Sequence, residues 1–142
     1  MRFPTAVRWF VTIQLIAAAW AVVFGLPYEF GGIGLPGRVF QDAWTHGTGL
    51  SAPIPFLALI VLLGFASRRP GRGGTAATIA LLALLALSLV AGLFEPAWRR
   101  ALLGEIPRTA ATGVLVLTLT GLMAVSSALV DEWRRLRAKW RT

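Results

Sequence analysis

Cysteine is absent from all 142 residues, which excludes disulfides, thiol redox chemistry and thiolate metal sites. Histidine occurs once, as His46, so paired-histidine haem ligation within one chain is excluded. A zinc centre would have to draw its remaining ligands from scattered loop carboxylates. No Gly-rich phosphate loop, nucleophile elbow or metal-ligand spacing occurs, and no cofactor or metal is expected. Only 6 residues are acidic against 14 basic. Neither internal repeats nor a low-complexity linker is present.

Charge is missing above all from four long stretches, residues 9–28, 43–67, 73–94 and 109–130. Together they hold 89 of the 142 residues, and a helix of roughly 20 residues spans a hydrocarbon core about 30 Å thick. A soluble domain of this length has no interior large enough to hide them. The expected fold is an all-α membrane protein, a four-transmembrane-helix bundle forming one domain over 1–142. Its spans are placed at about 9–28, 50–69, 74–94 and 109–130, with a tail at 131–142. A three-span arrangement, with the second stretch re-entrant, is the competing topology.

Basic residues set the orientation, because cytoplasmic loops are enriched in Lys and Arg. The N-terminus, the 68–72 turn and the tail carry ten of them, Arg2, Arg8, Arg68, Arg69, Arg72, Arg134, Arg135, Arg137, Lys139 and Arg141. The other two loops carry four, Arg38, Arg99, Arg100 and Arg108. Both termini are therefore expected in the cytoplasm. Trp9, Trp133 and Trp140 then fall at one headgroup level, and Tyr28, Trp44 and Trp98 at the other. Thirteen Arg against one Lys, with abundant Ala, Leu and Gly, suits a G+C-rich bacterial genome and thus a bacterial cytoplasmic membrane. The first apolar stretch exceeds the roughly 7–15 residues of a signal-peptide core and reads as a span.

Small residues four apart let helix backbones approach closely. Ala17, Ala21 and Gly25 form one such seam, and Thr120, Ala124 and Ala128 a second. Pro53 and Pro55 push the start of the second helix to about Pro53. The span to Arg69 is then short for the core, so either the bilayer thins, Arg68 and Arg69 snorkel, or residues 43–52 dip in as irregular backbone, with the first loop expected as a cap. Such backbone survives at that depth only against protein or a watery cavity. Glu95-Pro96 starts a short helix expected in the interface, with Trp98, Ala101 and Leu102 on one face and Glu95 spaced to pair with Arg99. In the tail, Trp133, Leu136 and Trp140 share a face while five basic residues, Arg134 and Arg137 among them, occupy the rest. This is the pattern of an amphipathic helix held on anionic headgroups at the cytoplasmic surface.

No ionisable side chain lies in the middle of a span, unlike the usual pattern of proton-coupled transporters. Gln14 is the one strongly polar side chain of the first span and a candidate ligand contact. If residues 39–46 are helical, Asp42 and His46 share a face, the minimal general-base arrangement and equally the minimal surface hydrogen bond. Glu29 is a candidate assistant. Arg38 and Glu95 are candidate ligand contacts, with Arg38 also placed to pair with Glu29 or Asp42.

Three functions are consistent with these residues. The first is a non-enzymatic assembly or accessory component, packing with a second copy or another membrane protein through the small-residue seams. The second is a small outer-leaflet enzyme acting on a lipid or isoprenoid through Asp42 and His46. The third is a passive pore or carrier along Gln14, Ser88 and Thr118. Membrane lipids are expected as partners, and nucleic acid is not.

Overall fold

The computed structural model describes residues 3–29, 34 and 36–141; Arg2, counted above among the basic residues, lies outside them. Helices dominate and no strand occurs among the described residues. The elements are α1 (Thr5–Phe24), a 3-10 turn (Pro36–Arg38), α2 (Val39–Thr45), α3 (Ile54–Ala66), α4 (Gly71–Phe94), α5 (Pro96–Leu102) and α6 (Arg108–Trp140). Proline sets most of the starts: α1, α3, α4 and α6 each begin directly after one, at Pro4, Pro53, Pro70 and Pro107. A proline fixes φ and has no N–H to leave unsatisfied at that position. Gly25 ends α1 in the left-handed region at φ 62°, its N–H turned back to the carbonyls of Ala21 and Val22.

Three helical runs are long and apolar enough to cross a membrane: α1, α4 continuing through α5, and α6. Their outward faces stay apolar, with Val23, Ile79, Leu93, Val116 and Leu119 all exposed. A surface of this kind suits lipid rather than water. The second uncharged stretch departs from the expected span over 50–69. Only 13 residues of it are helical, about 20 Å at 1.5 Å per residue, because Pro53 and the residues before it cannot continue the helix upward.

The 33-residue α6 is the central element, packed against α1, α4 and α5, while α3 fits between α1 and α4. Ala17 and Ala21 are buried on α1. The Trp20 indole lies over Gly113 of α6, where any Cβ would overlap the ring, and its N–H donates to the Ala110 carbonyl at 3.4 Å. The expected seams are only partly such. Gly25 is an exposed helix cap, and Thr120 is exposed with its hydroxyl donating to the Val116 carbonyl at 2.8 Å. Ala124 borders a surface groove, and Ala128 is buried within the fold.

The tail also differs from expectation. Residues 131–140 do not form a separate surface helix but continue α6, and Leu136, expected at the lipid interface, is 3 % exposed. Glu132 is 1 % exposed and receives a hydrogen bond from the Arg68 guanidinium, whose side chain is 7 % exposed. Lys139 Nζ donates to the carbonyls of Ser67 (2.9 Å) and Gly74 (3.1 Å) and to Thr78 Oγ1 (3.1 Å). The end of α6 is thereby stapled to the α3–α4 turn. Trp133, Arg134, Arg137 and Trp140 remain exposed, with the Arg137 guanidinium 5.1 Å from the Trp133 ring centroid.

Removing one partner of a buried ion pair strands the other charge. Glu132→Leu alone is expected to destabilise the fold by about 3–5 kcal/mol, whereas Arg68→Met with Glu132→Leu restores most of that loss. Unfolding of the two variants beside the parent chain in detergent checks this. Equal destabilisation by the single and double variants would contradict it.

Candidate functional site

Because α3 starts late, the space between α1 and α4 is helix-filled over only part of its length. The segment 46–53 folds into the remainder. Its six backbone N–H groups from Gly47 to Ala52 all find acceptors. Gly47, at φ +93°, donates to the Asp42 carbonyl, Thr48 to the Ser51 carbonyl, and Gly49 to the Leu26 carbonyl. Leu50 and Ser51 both donate to Thr48 Oγ1, and Ala52 donates to Gln14 Oε1 at 3.0 Å. Pro53 follows, with no N–H to satisfy. Gln14 lies near the middle of α1, so this irregular backbone reaches well into the apolar layer with every donor met.

Between this segment, α1 and the second half of α4 lies a cavity of about 400 Å³, within the size range of small-molecule sites. Its walls are largely apolar, with Leu50, Phe56, Leu87, Val90 and Phe94 among them. Its polar side chains are Gln14, Tyr28, His46, Ser51, Ser88 and Glu95. Tyr28 stands in the loop beyond α1, and burial together with the nearby Glu95 carboxylate holds its phenol above the ordinary value. Glu95 occupies the break between α4 and α5, where extended backbone (ψ 125°) precedes Pro96 as the proline requires. Its Oε1 is buried without a hydrogen-bond partner. The cavity does not continue through the protein. Val7, Phe10, Leu57, Ile60, Leu81, Leu85, Val125 and Ala128 form a buried apolar cluster beyond Phe56 and Ala52.

The candidate residues separate into two groups. His46, Glu95 and Gln14 face this cavity together. Asp42 stands behind His46, its Oδ1 4.0 Å from His46 Nδ1, beyond hydrogen-bond range; the imidazole instead shares a 2.9 Å hydrogen bond with Thr45 Oγ1. Glu29 accepts from Arg100, whose Nε also lies 3.3 Å from Glu105 Oε2. Two expected pairs give way: Glu29 is held by Arg100 rather than by Arg38, and Glu95 does not pair with Arg99 among the described ion pairs. The second follows from geometry, since Glu95 is outside the helix and an i,i+4 spacing no longer brings the side chains together. On α5 the buried residues are Ala97 and Ala101, while Leu102 is exposed.

The buried Arg68–Glu132 pair was assigned to loop and tail by sequence reasoning. A signal for it exists: Gly121, Val125, Ala128, Glu132 and Leu136 recur at helical spacing, so the apolar stripe of α6 runs straight through an acid. Comparison with protein-family models, curated proteins and solved structures gave no match.

Replacing Gln14 by Leu leaves the Ala52 N–H without its acceptor. The expected cost is about 1–2 kcal/mol of stability, with faster hydrogen exchange confined to the 47–53 segment. Unchanged exchange at Ala52 in Gln14→Leu would contradict the assignment.

Proposed function

We propose that this chain is a four-span protein of a bacterial cytoplasmic membrane, both termini cytoplasmic, that binds a small amphiphile from the outer leaflet in the cavity bounded by α1, α4 and residues 46–53. The observation carrying this reading is the cavity itself: largely apolar walls with a few polar side chains, Gln14, Tyr28, His46, Ser51, Ser88 and Glu95, among them. Such a pocket matches a molecule with an apolar body and a single polar head. The ten-to-four distribution of basic residues supports the orientation. The exposed apolar side chains Leu59, Leu62 and Phe65 on α3 support its exposure to lipid. A helix this short is accommodated by local thinning or by snorkelling of Arg69 at its end.

Binding is favoured over turnover by the polar groups. Asp42 does not reach His46 with a hydrogen bond, and Glu29 is committed to Arg100, so the general-base arrangement is not assembled. A through-pore is disfavoured by the apolar cluster that closes the cavity's far side. The accessory reading keeps one supporting feature, a surface groove between α1 and α6 bordered by Ala6, Trp9, Met123, Ala124 and Ser127. A helix of another membrane protein would fit along it.

The test uses the full chain in lipid nanodiscs with a photoreactive single-chain alcohol. Cross-links are expected at Phe56 and Ala91, and Ala91→Trp should lower them roughly tenfold by filling the cavity. Leu93→Trp, on the same helix but away from the cavity, should leave them unchanged. Labelling spread evenly over the lipid-facing surface, indifferent to Ala91→Trp, would overturn the reading.

A further inference from the structure

The charge around the cavity is one-sided. Among the described residues no Lys or Arg lines it, whereas Glu95 does, its carboxyl pKa pushed up to about 8 by burial and by the nearby Glu29. A second carboxylate, Glu29, lies close enough to interact electrostatically with Glu95. The nearest guanidinium in this network, Arg100, is already engaged by Glu29 and Glu105, and Arg99 and Arg108 are exposed. His46, which also lines it, is 44 % exposed.

The hydrogen-bonding inventory leans the same way. Ser88 Oγ donates to the Leu84 carbonyl at 2.9 Å, so what it offers the cavity is lone pairs. Ser51 Oγ shares a 3.0 Å hydrogen bond with Thr48 Oγ1. Gln14 is the exception, since Ala52 occupies its oxygen and leaves its amide N–H donors. Glu95 adds a carboxyl whose Oε1 has no partner, and Tyr28 presents an aromatic ring beside it. A carboxyl, hydroxyl lone pairs and an aromatic ring, with no fixed cation among the described lining residues, suit a positive head group. A phosphate or carboxylate head would instead meet Glu95 across a poorly solvated space with nothing to neutralise it.

We infer that the cavity selects an amphiphile bearing a positively charged nitrogen, an amine or quaternary ammonium, with the nitrogen at Glu95 and Tyr28 and the apolar body among Phe56, Leu87 and Phe94. This rests on the binding role proposed above and adds the chemistry of the head.

The test compares three photoreactive probes sharing one alkyl chain and differing only in the head, trimethylammonium, hydroxyl or phosphate. Each is added to the full chain in zwitterionic nanodiscs, and labelling at Phe56 and Ala91 is normalised to the probe incorporated. The ammonium probe should label most and the phosphate probe least, the two differing by roughly tenfold or more. Glu95→Gln should cut the ammonium labelling to the level of the alcohol while leaving alcohol labelling in place, which also reports that the variant is folded. Phosphate labelling equal to or above ammonium, or an order unchanged in Glu95→Gln, overturns the head-group inference while the cavity reading stands. Absence of cavity labelling by all three overturns both.

Discussion

A backbone amide taken out of water must find another acceptor, and the segment from Gly47 to Ala52 meets that demand without being a helix. Thr48 folds the chain onto its own side chain, the end of α1 takes the Gly49 N–H, and Gln14 takes the last one at Ala52. Since non-helical backbone is tolerated at membrane depth only when buried in protein or beside a cavity, the Gln14–Ala52 hydrogen bond is the condition on which the rest depends. With it, α3 can begin late and still leave no orphaned donor above it. Without it, the same residues would have to extend α3, which Pro53 and Pro55 forbid.

Two consequences follow from the late start. The α1–α4 gap is only partly filled, and the unfilled part is the cavity. At the opposite end of α3 the turn to α4 is reinforced by a longer partner, α6, whose Glu132 and Lys139 engage Arg68, Ser67, Gly74 and Thr78. The fold is thus tight at the end bearing the termini and open at the end bearing the loops. The apolar cluster around Ile60, Leu81 and Leu85 separates the two.

Much of the fold was legible in the amino-acid order. Uncharged length located the long helices, and prolines located the displaced start of α3 and the short α5 after Glu95. The entry of the first loop into the bundle was one of the ways Pro53 and Pro55 left to complete a short second span. The site was legible as residue types, because polar side chains near the ends of spans are few: Gln14, Tyr28, His46 and Glu95 were all in view. Their grouping was not, since charge spacing along a helix says nothing once the backbone leaves the helix, as it does at Glu95. Glu132 was hidden for a related reason. Counting charges ends a span at Val130, but burial continues as long as the neighbouring turn supplies Arg68.

The absence of native cysteine allows the cavity to be probed directly. Single substitutions Ser88→Cys, lining the cavity, and Leu85→Cys, one turn deeper in the apolar cluster, can be compared for reaction with a small membrane-permeant maleimide in nanodiscs. The account expects Ser88→Cys to react readily and to be protected by a bound amphiphile, with Leu85→Cys inert. Equal inertness at both positions would mean that the space beneath residues 46–53 is closed, and would contradict the account.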